Sequence, residues 1–371
     1  MKKVLVPIIF ALVATSFVTY SYLDTFVISK NVRNVSFAYG NEDETIIPIT
    51  ISTGSSSQSS SGSSDAGSSS QPSTQPTTDK YYEDKTPEEI AALFTPTKVF
   101  VEREHYSDPD IYIDISKCRD VEDTTTYYVA DIRIKSMSYF RTALAKDKYG
   151  ENIVERTSDI CLRNKGILAI DGDTYGSQEG GYVIRNGLSL RSTKNLNRMR
   201  GTTKKAEDLL VHSDGTFSII DEREVSFEEV EAQHPKHVFS FGPALIKNNE
   251  IAVAENEEVG TALQGNRNQR CAMGIISPGH YVFVVNDGRM GSSYGFSLHT
   301  VASIMKDLHC ETAYNLDGGG SATMYLDNGT GNADGLGHLV NYPHQSTSGN
   351  VKNPTMKQRE VSDIVYIGKS E

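Results

Sequence analysis

The sequence has no excess of basic residues. Its 36 lysines and arginines stand against 48 aspartates and glutamates, which gives a formal net charge of −12 over 371 residues. A surface that follows a nucleic-acid backbone needs a cluster of positive charge. The composition therefore argues against nucleic acid as a partner. If the protein binds an anionic group, a few placed arginines and amides must recognise it.

The sequence also lacks paired cysteine motifs. Its four cysteines have no Cys-x-x-Cys spacing, which argues against a zinc ribbon or a thioredoxin-type site. Outside the cytoplasm an even number of cysteines permits disulfides, and Cys271–Cys310 is one pairing to consider. The alternative is that each cysteine is a small apolar residue packed in a strand. Gly-x-Ser-x-Gly, Walker and His-Glu-x-x-His motifs are absent as well, which excludes their reaction classes.

What the chain does have begins with an apolar N-terminal stretch. Lys2 and Lys3 precede a largely uncharged run over residues 4–22. A helix needs roughly 20 residues to cross a bilayer, and the lysines favour a cytoplasmic N-terminus. The pattern predicts a signal anchor over residues 1–30 of a single-pass cell-membrane protein whose remaining chain lies outside. A cleaved signal peptide is the alternative.

A low-complexity stretch follows this apolar run. Residues 52–78 are almost entirely Ser, Gly, Gln, Thr and Pro. Such a composition cannot bury enough apolar surface to offset the entropy of ordering the chain. We therefore predict a disordered, flexible linker over residues 31–85, which would tether the folded part to the membrane.

The remaining chain predicts an α+β fold, a strand-rich mixed sheet with few helices. A short helix is expected at residues 86–93, and a helix at 297–308 carries one apolar stripe capped by Ser297. Many strands without regular βαβ alternation argue against a doubly wound sheet. We divide the folded region into an N-terminal part, 86–158, and a main domain, 159–371. The predicted strands are 111–115, 127–134, 166–170, 182–184, 216–220, 238–241, 272–276, 280–285 and 363–367.

Four clusters share one design, in which an apolar strand lies beside glycines and charged or amide residues. They surround Asp171-Gly-Asp173, Arg270, Asp287-Gly-Arg289 and the run Asn315-Leu-Asp-Gly-Gly-Gly-Ser-Ala-Thr-Met324. Strand ends beside glycine loops can bring polar groups together at one rim of a sheet. Carboxylates act as acid, base or nucleophile at an acetal carbon, and the arginine fork recognises phosphate oxygens. A sugar carbon joined to a phosphodiester would need both sets.

These motifs, with Arg270-Cys-Ala-Met-Gly274 and the closing Arg359-Glu-Val-Ser-Asp363, resemble the phosphodiester glycosidase family. The resemblance covers roughly residues 160–368. It implies a hydrolase that acts on a sugar-phosphodiester. Two positions depart from the family pattern: Asp171 stands where an asparagine is usual, and a helix that often begins with two glutamates here reads Ser297-Leu-His-Thr300.

The resemblance assigns a role to each candidate. Asp317 is the first candidate for direct catalysis, Asn315 is its accompanying amide, and Asp287 or Asp171 is the second carboxylate. Arg270 and Arg289 would hold the phosphate. The other expected substrate-binding residues are Gly318, Gly319, Gly320, Ser321, Thr323 and Asp173.

Two functions remain open at this point. The first is a membrane-tethered extracytoplasmic hydrolase that cleaves the bond between an anomeric carbon and a phosphodiester oxygen in cell-surface or exopolysaccharide-related glycans. The second is a non-catalytic or biosynthetic accessory protein that binds an anionic polysaccharide at the same rim. No cofactor is required by either, although clustered Asp171, Asp173, Asp287 and Asp317 could bind calcium, which prefers oxygen ligands.

Overall fold

The computed structural model describes residues 29–35, 98–196, 206–255, 267–329, 337–343 and 357–369. The predicted membrane segment up to residue 28, the low-complexity stretch and the predicted helix at 86–93 lie outside these residues. Within the described ranges, no helix has both the length and the apolar character needed to cross a membrane.

The described residues form twenty strands and three α-helices. The strands are β1 (Lys30–Asn34), β2 (Lys98–Ser107), β3 (Ile111–Asp120), β4 (Thr125–Ile134), β5 (Phe140–Leu144), β6 (Lys148–Glu151), β7 (Leu168–Asp171), β8 (Val183–Arg185), β9 (Leu188–Arg191), β10 (Glu207–Val211), β11 (Phe217–Asp221), β12 (His237–Phe239), β13 (Ala244–Lys247), β14 (Glu250–Ile251), β15 (Cys271–Ser277), β16 (His280–Asn286), β17 (Thr312–Asn315), β18 (Met324–Leu326), β19 (His338–Leu339) and β20 (Asp363–Ile367). The helices are α1 (Thr157–Arg163), α2 (Phe227–Glu231) and α3 (Leu298–Asp307).

Three larger sheets and one two-stranded ribbon organise these strands. The large sheet has the order β14-β13-β17-β15-β16-β4-β3-β2, and a second sheet, which we call the site sheet, has the order β19-β18-β7-β20-β5. A third sheet has the order β11-β10-β12-β8-β9, and β1 pairs with β6. Strands β2–β4 therefore share a sheet with β13 and β15–β17, so the part before residue 158 is built into the same sheet as the main domain.

The strand-rich fold with few helices that the sequence predicts is confirmed. The sheets are not mixed, however, because every pairing between described strands is antiparallel. The reason is the connections: β2, β3 and β4, and likewise β15 and β16, follow one another through short turns, and a short turn can only join antiparallel neighbours.

All the predicted strands are present, but several further strands were missed. Strands β5 and β10 are buried at all five positions. A strand buried on both faces has no alternation of apolar and polar residues, so a period-two pattern does not reveal it.

The first strand corrects the prediction of a linker that begins at residue 31. β1 pairs with β6 in the register Arg33↔Tyr149, and the Arg33 guanidinium lies 4.7 Å from the centre of the Tyr149 ring. The backbone amide of Val35 also donates to Asp147 O at 3.0 Å. The Ser/Gly-rich stretch therefore lies in sequence between two strands of the folded unit, β1 and β2, rather than ahead of it.

Hydrophobic packing joins the sheets. The central core lies between the large sheet and the site sheet, with Ile132 and Phe283 from the former and Ile170 and Val365 from the latter. The opposite face of the large sheet packs against α3. There the predicted stripe of Leu298, Val301, Ile304, Met305 and Leu308 is buried, and Ser297 Oγ accepts from Thr300 N at 3.0 Å. The predicted helix and its cap are confirmed.

The Cys271–Cys310 disulfide is not formed, and all four cysteines are free and buried. Cys271 belongs to the central core, whereas Cys310 packs with α3 on the opposite side of the large sheet. Cys310 Sγ lies 3.7 Å from Met305 Sδ. The sheet itself separates the two thiols, which is why sequence spacing could not decide the pairing.

Candidate active site

The sheet register brings three of the four predicted clusters to one end of the large sheet. β15 begins where its antiparallel neighbours β16 and β17 end, with Cys271 opposite Val285 and Ala272 opposite Asn315. The residues before β15 and after β16 and β17 therefore emerge together. The fourth cluster joins them from the site sheet, because the Asp317 amide donates to Gly172 O at 3.1 Å.

The glycine turn carries the chain from the large sheet to the site sheet. Gly319 has φ +61°, in the left-handed region that favours glycine, and the Gly319 amide donates to Gln269 O at 3.0 Å. At Gly318 an added Cβ would lie 2.8 Å from Gln269 O, so the turn presses closely on the start of β15. The turn therefore needs the positive φ of Gly319 and the absence of a side chain at Gly318.

The amides of Gly318 and Gly319, two of the expected substrate-binding residues, have acceptors within the protein. Gly318 N donates to Asp317 Oδ1 at 2.7 Å, and Gly319 N donates to Gln269 O. Both amides hold the turn and its carboxylate in place. Gly320 lies beside Arg359 instead, whose amide donates to Gly320 O at 3.2 Å.

Asp317 lies at the wall of a cavity of about 290 Å³. Ser321 and Arg359 line the same cavity, together with Asn152, Thr174 and Ser177. Burial raises the pKa of the Asp317 carboxyl, while the Arg359 guanidinium and the bonds from Ser321 and Gly318 N counter that rise. A carboxylate with a shifted pKa beside a cation in a cavity is typical of a catalytic site.

Arg359 is the site residue that the sequence reasoning left without a role. Its Nε donates to Ser321 Oγ at 2.7 Å, and its Nη2 donates to Gly318 O at 2.8 Å and lies 3.4 Å from Asp317 Oδ2. Its side chain remains 41% exposed, so a ligand can reach it. The sequence offers one signal for this residue, which is that Arg359 begins the Arg359–Asp363 motif. Because Arg359 is far from the glycine run in the sequence, however, the motif does not predict this contact.

Arg289 and Arg270 extend this positive charge around the glycine turn. A Cβ added at Gly319 would lie 3.7 Å from Arg289 Nη1. Burial and the nearby Arg289 lower the pKa of Arg270 to about 10, and burial together with Arg359 lowers the pKa of Arg289. Three arginines that disfavour one another's charge form an environment that an anion would stabilise.

Asp171 lies beneath the turn rather than at the cavity wall, and it is fully buried. Its Oδ1 accepts from Thr323 N at 3.0 Å, and its Oδ2 and Thr323 Oγ1 have no hydrogen-bond partner among the described residues. Burial, and next the Asp317 charge, raise the pKa of Asp171 well above its usual range. Both influences favour the neutral form of this carboxyl group.

Asp287 lies in a different environment. Its Oδ1 accepts from Tyr342 N at 2.7 Å, and its Oδ2 lies 3.4 Å from the Tyr128 hydroxyl. Burial raises the pKa of Asp287 to about 7, and the charges that oppose this rise are Lys117 and Arg119. Asp287 thus joins the end of β16 to the segment that follows β19, whereas its neighbour Arg289 points to the glycine turn.

Asp173 takes part in a buried ion-pair network. Arg185 Nη2 lies 3.1 Å from Asp173 Oδ1, and Arg185 Nε donates to Asp363 Oδ2 at 2.8 Å. Asp173 also accepts from Ser240 N at 2.9 Å. Burial raises the pKa of Asp363 to about 7 even though Arg185 opposes this. The network ties the site sheet to the third sheet behind the candidate site.

The remaining predicted residues are Asn315 and the four aspartates named as calcium ligands. The Asn315 side chain is buried, and its Nδ2 donates to Gly242 O at 2.8 Å. Among the residues that the structure describes, no group of three or more His, Cys, Asp or Glu is arranged to hold a metal ion. The four aspartates named for calcium make the contacts given above.

Comparisons with known proteins identify the family and the fold. Residues 164–368 match the phosphodiester glycosidase family. A Bacillus subtilis (strain 168) protein, the SPbeta prophage-derived uncharacterized protein YomE, is 28% identical over 181 residues, which are 48% of this chain and 27% of that protein. This chain therefore spans about a quarter of the length of the curated relative that it matches.

A solved structure gives the fold. The zebrafish N-acetylglucosamine-1-phosphodiester alpha-N-acetylglucosaminidase catalytic domain, auto-inhibited by its pro-peptide, superposes with a TM-score of 0.52 at 20% identity. The match covers 75% of this chain and 90% of that one. The glycine turn of this chain lies where two sheets meet. Because residues 164–368 match the phosphodiester glycosidase family, the chain belongs to that family.

Proposed function

We propose that the protein is a hydrolase that cleaves the bond between the anomeric carbon of a sugar and a phosphodiester oxygen. One observation carries this proposal: the Asp317 carboxylate and the Arg359 guanidinium face the same 290 Å³ cavity. A carboxylate suits the sugar carbon, and an arginine fork suits the phosphate.

In the proposed reaction, a water oxygen bonds to the anomeric carbon while the bond from that carbon to the phosphate oxygen breaks. The electron pair leaves with the phosphate monoester, and Asp317 accepts the proton that the water loses. Arg359, with Arg289 beside the turn, stabilises the negative charge that develops on the phosphate. Because a phosphate departs as a stable anion, no second group has to protonate it.

One essential carboxylate is therefore sufficient. Of the two second carboxylates considered from the sequence, Asp171 is fully buried and Asp287 contacts Tyr128 and Tyr342. We assign both to positioning: Asp171 supports the glycine turn, and Asp287 anchors the end of β16. Ser321 orients Arg359 through its hydroxyl oxygen.

The enzymatic test is release of free sugar from a panel of UDP-sugars and sugar-1-phosphodiesters by the full chain. Asp317→Asn should lower the rate by about 10²–10⁴-fold, since it removes the proton acceptor. Asp214→Asn, in an exposed turn of the third sheet, is the matched control. Equal rates for wild type and Asp317→Asn would contradict the site assignment.

The alternative is an accessory protein that binds an anionic polysaccharide without cleaving it. The three neighbouring arginines would serve such binding equally well. No turnover by the wild-type protein across the panel, together with retained glycan binding, would favour this alternative over the hydrolase.

We further propose that residues 1–28 anchor the protein in the cell membrane with the folded domain outside. Because β1 is already part of the fold, such an anchor would hold the domain directly at the membrane surface. Fractionation of cells that express the full chain, compared with a chain that starts at Ser29, tests this. Recovery of both in the soluble fraction would overturn the anchor.

A further inference from the structure

The floor of the candidate site consists of two antiparallel segments, residues 152–156 and 357–362. Glu155 N donates to Val361 O at 3.0 Å, and Val361 N donates to Glu155 O at 2.8 Å. Along an extended segment, every second residue faces the same side. Val154 and Arg156 accordingly face the same side, and Asn152, whose φ of +54° sets it apart from the extended part, begins this row.

This row leads out of the cavity into a second, larger space. A groove of about 860 Å³ is lined by Arg156 and Lys357, and it shares Val154, Arg359 and Glu360 with the cavity. The two spaces therefore share part of their lining, with Asn152 in the cavity at one end of the row and Arg156 in the groove at the other.

The sizes of the two spaces indicate how much substrate the site accepts. Pockets for single small ligands measure about 300–1,000 Å³, and the cavity at Asp317 is at the lower limit of that range. It matches one sugar with its phosphate. The groove is about three times as large as the cavity, so the binding surface continues well beyond the bond to be cleaved.

The charges of the groove favour an anionic continuation of the substrate. The Lys357 ammonium has no partner among the described residues, while Arg156 Nε pairs with Asp159 Oδ2 at 2.7 Å on an exposed edge. Together with Arg359, the groove carries three cationic side chains against Asp159 and Glu360. The Lys357 ammonium, which has no pair within the described part of the chain, is available for a phosphate.

We propose that the groove binds further units of a chain of repeating sugar phosphodiesters, with Lys357 contacting a phosphate beyond the one that Arg359 holds. This inference rests on the proposed function and names its substrate class: a polymer rather than a single sugar phosphodiester. Arg156 supports the same chain at the outer end of the row.

The test compares a substrate with one sugar phosphodiester bond with oligomers of three to five repeats, using the full chain. The wild-type kcat/KM should rise with length by about tenfold. In the double variant Lys357→Ala with Arg156→Ala, kcat/KM for the oligomer should fall at least about fivefold more than kcat/KM for the one-bond substrate. Most of this loss should come from a higher KM for the oligomer. The variant Lys357→Arg, which keeps the positive charge, should retain the wild-type kcat/KM for the oligomer. Lys247→Ala, a surface lysine paired with Glu207, is the matched control.

A second measurement separates this inference from the proposed function. Calorimetric titration of Asp317→Asn with the same oligomers reports binding without turnover. Length-dependent affinity that is lost on adding the Lys357→Ala and Arg156→Ala changes supports the groove even if no substrate is cleaved. Affinity and kcat/KM that do not depend on length, or an equal loss for all lengths, would overturn it.

Discussion

Arg359 Nη2 lies 3.4 Å from Asp317 Oδ2, although the two residues are 42 positions apart and stand on different sides of the glycine turn. The same guanidinium binds Ser321 Oγ and Gly318 O, so one side chain contacts three members of the turn. The carboxylate that the sequence singled out is thus positioned by an arginine that it did not. This pairing opposes the rise in the pKa of Asp317 that burial causes, and the Arg359 side chain remains 41% exposed.

Removing Arg359 should therefore change both binding and protonation. In Arg359→Ala, we expect kcat/KM to fall by about 10²-fold or more, because a charge-assisted phosphate contact is lost. The pKa of Asp317 should rise, since Arg359 lowers it. The acid limb of the pH–rate profile should consequently move to higher pH.

The matched control is Arg223→Ala, an exposed arginine paired with Asp221 in the third sheet. It should leave the profile unchanged. An acid limb that stays in place in Arg359→Ala would show that Asp317 is not the group that the profile reports.

Asp171→Asn should leave most of the activity intact and stabilise the protein at neutral pH. The native carboxyl is buried with its pKa raised, whereas in the unfolded chain it ionises near pH 4. Its contribution to stability is present below that pH and is lost as pH rises toward the folded-state pKa. Asparagine cannot ionise and keeps an oxygen for the Thr323 amide.

Urea unfolding at pH 4 and pH 7 measures this effect, and the variant should show the smaller loss of stability between the two. If Asp171 were a catalytic carboxylate, the variant would instead lose activity by orders of magnitude while folding normally.

Asp287→Asn should flatten the pH dependence of stability over a defined window. The pKa of Asp287 is raised to about 7 by burial, against a usual value of 3.8. Between these values the unfolded chain is ionised and the native group is neutral, so stability falls as pH rises from about 4 to 7. At about 1.4 kcal/mol per pKa unit, the change amounts to about 4 kcal/mol. Equal slopes for wild type and variant in urea titrations across this window would contradict the assignment.

Arg185→Met should be strongly destabilising. Arg185 is fully buried and pairs with both Asp173 and Asp363, so its removal leaves two buried carboxyl groups without their cation. The expected loss is about 3–5 kcal/mol in the free energy of unfolding, measured by urea denaturation. Arg223→Met breaks an exposed pair and should cost less than about 1 kcal/mol. Similar losses of unfolding free energy in the two variants would contradict a larger contribution from the buried network than from the exposed pair.

The strands and the long helix were predictable because their signals are local. Alternation of apolar and polar residues, or a short apolar run, predicts β3, β4, β15 and β16. The apolar stripe and the Ser297 cap predict α3. β1 was not predictable, because its pairing with β6 crosses more than a hundred residues of sequence. β5 and β10 were missed because burial on both faces removes the pattern.

The candidate site divides in the same way. Three glycines after an apolar strand identify a turn where Asp317 can meet a ligand, and the acidic composition argues against a nucleic-acid surface. Only tertiary structure decided that Arg359 reaches Asp317, that Asp173 pairs with Arg185, and that Cys271 and Cys310 lie on opposite faces of one sheet. The physical reason is that propensity and apolar periodicity act over a few residues, whereas ion pairs and burial depend on which strands the sheets bring side by side.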